Sequence, residues 1–327
     1  MHRNLLQRTF VVSAALALAC NPDTGGDDSS GGSSSGGQAT PVDDLPTDVP
    51  APGADDRVIE MPEQIIPATS ETQRCYFLEP EAAEFFANAL TSFQGKFGHH
   101  LVLFRTLAPE PPGTVRDCTS IADMVNLIPV ISSVNFGLEE FPPNTALRVP
   151  AGTQMVVQQH YVNTGDVPIR VKDVLHLRTM DKANVSTLAG FYGLSNVDFQ
   201  LTPDDTIEQT VEFTCSAPRD MNLLLMGPHM HEWGLRMFTE ITHMADGASE
   251  EVQRVDPWQA AYRDEPPVTE WGIDTPLVLK QGDKIHTTCV FKNTAGKVLK
   301  FPSEMCATYG YYFPAPEGSD VWTCDGT

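Results

Sequence analysis

From residue 57 onward, apolar residues come in short runs or alternate with polar ones, with Pro, Gly, Asn and Asp between them. The segments LVLF (101–104), QMVVQQHYV (154–162), VKDVLHLRT (171–179), MNLLLMG (221–227) and DKIHTTCVF (283–291) have the length and period of strands. Many short strands with regular turn chemistry predict an all-β chain of antiparallel β-sandwich architecture. The prolines at 109–112 and 142–143 belong in loops. One segment reads differently. PEAAEFFANAL (80–90) places Pro at a first turn ahead of good helix formers, which predicts one short helix. No internal repeat is visible.

The beginning of the chain is a targeting pattern. His2, Arg3 and Arg8 make a basic start, and FVVSAALALA (10–19) follows as an apolar run of ten residues. Ten is about half of what a membrane-spanning helix requires, so the run reads as the core of a signal peptide, residues 1–19. It ends in Ala17-Leu18-Ala19-Cys20, which resembles a bacterial lipoprotein signal, with Cys20 acylated after cleavage. Ala17 stands where such signals favour leucine, and the alternative is a secretory signal cleaved after Ala19. Residues 20–56 are rich in Gly, Ser, Pro and Asp and have little to bury, so a flexible tether is expected there, with the folded part starting near residue 57. The expected location is the bacterial cell envelope, lipid-anchored at the outer membrane or facing the periplasm.

Seven cysteines occur. With Cys20 in the anchor, Cys75, Cys118, Cys215, Cys289, Cys306 and Cys324 remain, an even set that suits three disulfides in an exported chain. Sequence alone leaves fifteen pairings open. None of the six has CxxC spacing. The excess of 43 Asp+Glu over 21 Lys+Arg gives a net charge of -22, which argues against nucleic acid as a partner. It is consistent with a solvated surface.

The histidines carry the candidate chemistry. His99 and His100 open the LVLF strand, where neighbours point to opposite faces, so both reach one ion only if a bulge or strand end re-aims one. His160 shares a strand face with Val156, Gln158 and Val162, and by itself reads as a hydrogen-bonded structural residue. His229-Met230-His231 is a His-x-His pattern whose two imidazoles fall on one face of an extended segment. His176, His243 and His286 belong to no group.

GHHLVLF, VVQQHYVNTGD, PHMHEWG and CVF followed by SEMCATYGYYF occur in the order and spacing of the copper type II, ascorbate-dependent monooxygenases. The resemblance is to the peptidylglycine α-hydroxylating and dopamine β-type enzymes and covers roughly residues 70–327. It implies two tandem, jelly-roll-like β-sandwich domains, residues 57–182 and 183–327, each holding one copper across a shared cleft. Carried over by position, His99, His100 and His160 would bind an electron-transfer copper. His229, His231 and Met305 would bind an oxygen-activating copper and form the catalytic centre. Imidazole binds copper in both oxidation states, and a thioether favours Cu(I). The resemblance also implies the disulfides Cys75–Cys118, Cys215–Cys324 and Cys289–Cys306. Tyr309 falls on the face of Met305 and is a candidate substrate-binding residue, although its aromatic neighbours also fit ordinary packing.

The implied activity is hydroxylation of a C–H bond with O2 and ascorbate or another one-electron reductant, on a small-molecule substrate, by a monomer. Two positions depart from the peptide-hydroxylating members. Gly227 replaces a basic residue and Ala307 an asparagine that hold the substrate carboxylate there. Without the cation a carboxylate loses charge-assisted hydrogen bonds, so peptidylglycine is not the expected substrate. A copper-binding or copper-delivery lipoprotein without turnover is the alternative. A zinc hydrolase has no use for Met305.

Overall fold

In the computed structural model, the described residues are 39–327 apart from 120–122, 124–125, 135–137, 264, 302, 319 and 327. The expected signal peptide and lipidated Cys20 lie outside them. Among the described residues the alternating pattern is realised as strands, with short 3-10 turns at Lys182–Asn184 and Ala260–Arg263. Among the described residues, no helix is long and apolar enough to cross a membrane.

One sheet of eleven strands forms the spine of residues 39–327. Along it lie Asp56–Glu60, Val174–Thr179, Phe85–Phe93, Thr145–Val149, Thr187–Asn196, Cys306–Phe313 and Met221–His229. Its middle is a parallel pairing in which Thr145, Ala146 and Leu147 stand beside Thr187, Leu188 and Ala189. The first half of the spine is covered by a five-stranded sheet containing Ser70–Pro80, Gln154–Asn163 and Gly98–Thr106. Leu101, Leu103, Met155 and Val157 from that cover pack on Ala87, Leu90, Leu147, Leu175 and Leu177. The second half is covered by the four strands Gln209–Ser216, Lys284–Phe291, Gly234–Thr242 and Ser249–Val255. There Val211, Phe213, Met237, Ile285 and Phe291 meet Tyr192, Leu194, Leu223, Met226 and Tyr312. Two β-sandwiches therefore share a sheet. Tyr311 ties them, packing in the first core while its hydroxyl donates to the Val130 carbonyl at 3.2 Å.

Two expectations are corrected. The helix expected over 80–90 is absent, and Phe85–Phe93 is a strand between Val174–Thr179 and Thr145–Val149. Its residues from Phe86 to Leu90 are all buried because the strand is covered on both faces. Burial on two sides makes a continuous apolar run, which outweighs the local helix preference of Ala and Leu. The tether is also shorter than 20–56. Val42–Asp43 pairs in parallel with Ile169–Arg170, and the Asp44 carboxylate accepts from the backbone of Lys96 at 2.7 Å and Phe97 at 3.1 Å. This segment has almost no apolar surface and is fixed by backbone pairing and by one carboxylate. Gly95 is required at that contact, since a Cβ there would stand 2.1 Å from the Asp44 carbonyl oxygen.

Three disulfides close the fold, Cys75–Cys118, Cys215–Cys324 and Cys289–Cys306, in the pairing the resemblance implies. They fit an exported protein.

Candidate metal sites

The strand Gly98–Thr106 runs antiparallel to Gln154–Asn163, with His100 opposite His160 and Gly98 opposite Tyr161. His99 is thus the extra residue of a β-bulge, the device that lets two successive side chains serve one point. Gly98 makes the bulge possible, because a Cβ there would fall 2.2 Å from Gln94 Cβ. As a result His99 Nδ1 lies 3.2 Å from His100 Nδ1, and His160 Nδ1 lies 3.4 Å from the same atom. One ring nitrogen from each of the three lies within 4.8 Å of the others. Converging imidazole nitrogens fit a borderline cation such as copper, which suits nitrogen donors. His160 is fully buried, and His99 and His100 are half-buried.

Behind this strand, Gln159 and Tyr161 point to the opposite face and are held by Asp173. The Asp173 carboxylate accepts from Tyr161 Oη at 2.5 Å, Gln159 Nε2 at 2.7 Å and Gln94 Nε2 at 3.1 Å. Burial pushes the Asp173 carboxyl up to about 6, against those three donors. Asp173 thereby anchors both the strand of His160 and the turn that precedes His99.

In the second half, His229 ends the strand Met221–His229 opposite Ala307. Met230 turns into the core, so His229 and His231 come together outside it, with their Nε2 atoms 3.1 Å apart. His231 Nδ1 is 3.1 Å from the Ser303 carbonyl oxygen, which can only accept, so the hydrogen sits on Nδ1 and Nε2 is bare. Glu304 joins this segment to Met305. Its Oε2 accepts from the backbone of His231 at 2.9 Å and of Met305 at 3.1 Å, and its Oε1 from Trp233 at 2.9 Å. Burial drives its carboxyl up to about 7 while the three N–H groups pull it down. Trp258 Nε1 completes the clamp with a 2.9 Å bond to the His231 carbonyl. Cys306 follows Met305 at once and fixes it through its bridge to Cys289. The two facing Nε2 atoms, with a thioether carried on the neighbouring segment, are donor types that copper accepts in its reduced form.

Tyr309 stands opposite Gly227, two residues along from the Ala307–His229 pair and on the same face. Its phenol is pushed above the usual tyrosine range by burial and by the nearby Glu139 charge, so it is a neutral hydroxyl near neutral pH. His176, His243 and His286 join neither group. His176 packs edge-on against Phe93, His243 lies between Asp283 and Glu250, and His286 meets Thr214. The supporting carboxylates Asp173 and Glu304 escaped the sequence reading. Each is a single acidic residue in an apolar stretch, and that isolation was the available signal.

Residues 187–325 match the model of the copper type II ascorbate-dependent monooxygenase C-terminal domain. No curated protein matches the chain. Among solved structures, PBCV-1 VP54 fitted into a reconstruction of the virophage Sputnik is 8% identical, covering 81% of this chain and 95% of its own, at a TM-score of 0.30. The infectious bursal disease virus VP2 subviral particle is 11% identical, covering 85% of this chain and 74% of its own, at a TM-score of 0.22. Similarities that low carry no argument.

Proposed function

We propose, from the match of residues 187–325 to the C-terminal domain of the copper type II ascorbate-dependent monooxygenases, that the chain is a monooxygenase of that kind, which binds two coppers and hydroxylates a neutral or apolar small molecule. In this reading His99, His100 and His160 hold the electron-transfer copper, and His229, His231 and Met305 hold the oxygen-activating copper. Bound copper would supply the one-electron steps by which ascorbate and O2 hydroxylate a C–H bond. The protein's part is to bring imidazole nitrogens together, Nδ1 in the first half and Nε2 in the second, and to supply one soft sulfur at the second centre alone. Tyr309 offers the substrate a neutral hydroxyl. Gly227 and Ala307 offer it no charge, so a carboxylate gains nothing there.

The observation that carries the reading is the three-imidazole cluster at His99, His100 and His160, which lies outside the matched residues yet complements them. Three disulfides agree with export, and Cys20 would carry the lipid that keeps the protein at the cell envelope. The experiment is copper analysis followed by ascorbate-dependent oxygen uptake with product analysis, over neutral aromatic and aliphatic compounds and glycine-extended peptides. Preferred turnover of the peptides would refute the substrate assignment. A copper-loaded protein that never couples oxygen uptake to product would favour a copper-delivery lipoprotein, which the uncharged Gly227 and Ala307 also fit.

A further inference from the structure

The two ring nitrogens of His160 face different partners. Nδ1 points to His100, while Nε2 lies 3.0 Å from Glu71 Oε1. An ionised carboxylate only accepts, so the hydrogen sits on Nε2 and the Nδ1 lone pair faces His100 and the three-imidazole cluster. Glu71 belongs to the adjacent strand Ser70–Pro80, where it pairs with Val162 while Gln73 pairs with His160, so its side chain reaches across diagonally.

The same Glu71 oxygen accepts from Arg263 Nη2 at 2.9 Å, and Arg263 Nη1 donates to Glu232 Oε1 at 2.8 Å. Arg263 closes the short turn Ala260–Arg263 in the second half of the chain, and Glu232 directly follows His231. A line of polar contacts therefore runs from His160 through Glu71 and Arg263 to Glu232. It begins at a ligand of one candidate site and ends beside a ligand of the other.

Glu71 and Glu232 are 45% and 42% exposed at the side chain, so these ion pairs contribute little to stability. What they fix is direction. A half-exposed glutamate on its own would sample several rotamers, whereas a planar guanidinium forked between two carboxylates allows it few. Carboxylates that take the outer hydrogen of a ligating histidine select its tautomer and orient its ring.

We propose that Glu71, braced by Arg263 against Glu232, is a positioning residue that holds His160 in the tautomer presenting Nδ1. The proposal rests on the assignment of His99, His100 and His160 as copper ligands. Its test uses the folded chain, with nitrogen-15 spectra of the histidine rings without metal and copper titration of each site, the His160 signals being assigned through His160→Gln.

His160 should show an Nε2–H tautomer in the parent protein and a mixture in Glu71→Ala, with thermal unfolding nearly unchanged. Copper affinity at the three-histidine site should fall roughly ten- to a hundredfold in Glu71→Ala, while the His229/His231 site keeps its own. Glu71→Gln keeps an acceptor and should restore most of the tautomer. Arg263→Met should weaken the three-histidine site less, and adding it to Glu71→Ala should cost nothing further. An unchanged tautomer and unchanged affinity in Glu71→Ala would overturn the proposal. If the parent protein binds no copper, the functional reading fails, and the metal-free spectra still decide whether Glu71 sets the state of His160.

Discussion

Gly227 and Tyr309 stand opposite each other on neighbouring strands, and the tyrosine ring lies over the glycine. A Cβ at residue 227 would come 2.7 Å from Tyr309 Cζ and 3.1 Å from its hydroxyl oxygen. The missing cation and the position of the tyrosine are thus one feature, because the ring occupies the space where a longer side chain would begin. Gly227→Ala should force the ring aside and destabilise the protein by ~1–3 kcal/mol, as overpacking does. Coupling it to Tyr309→Ala should recover most of that loss. Denaturant midpoints of the two single variants and the double variant measure the coupling, and simple additivity would show that the ring yields freely.

The two groups of histidines should load independently, since they lie in separate sandwiches. His160→Ala should lower copper from about two ions per chain to about one, with the His229/His231 site intact, and His229→Ala should do the reverse. Metal analysis with electron paramagnetic resonance separates the cases. Loss of both ions from either change would mean one shared site.

Much of this arrangement was legible as pattern. Alternation in QMVVQQHYV gave a strand with His160 on it, and Met230 between two histidines gave the core-facing residue that turns His229 and His231 together. His99 and His100 were the harder case, because only a bulge reconciles them, and the register break opposite Tyr161 supplies it. Phe85–Phe93 was misread because a strand buried on both faces loses the period-two signature. Glu71, Asp173 and Glu304 were missed for another reason. Isolation can mark a carboxylate such as Asp173 or Glu304, but it does not say which side chain or backbone group that carboxylate will meet across the fold.

Cys20 ends the apolar run and opens a Gly/Ser/Asp segment, so it is the residue proposed to carry a lipid. Cys20→Ala should move the protein from the membrane fraction to the soluble fraction without altering its disulfides. Fractionation and mass spectrometry of the mature terminus check this, and a variant still held at the membrane would refute the anchor.

His243 links the turn after strand Gly234–Thr242 to Asp283 and Glu250, at 3.0 and 3.2 Å. The bond to Asp283 first, then that to Glu250, holds its pKa above the ordinary value of 6.5. The folded state therefore binds this proton more tightly than the unfolded chain does. Its contribution is complete below the unfolded value and is lost as pH rises through the elevated folded value. Unfolding midpoints should fall as pH rises from below the ordinary histidine value through the raised folded value, with a modest difference because the pair is partly solvated. His243→Gln should flatten that part of the profile, and an unchanged slope would assign it to other groups.

Glu304 offers two oxygens to three backbone N–H groups, those of His231, Trp233 and Met305. A glutamine has nearly the same shape, but one of its terminal atoms is an NH2 group. Whichever way the amide turns, that NH2 faces at least one of the three donors, leaving it unsatisfied in a fully buried place. Glu304→Gln should therefore cost about 1–3 kcal/mol of stability. The loss should concentrate where the clamp acts, loosening the His231 loop from the Met305 segment. Copper affinity should then fall at the His229/His231/Met305 site, while the His99/His100/His160 site, in the other sandwich, keeps its affinity. Site-resolved copper titration alongside denaturant unfolding tests both halves of the prediction. Equal weakening of the two sites would mean that Glu304 supports the fold as a whole and does not single out the Met305 centre.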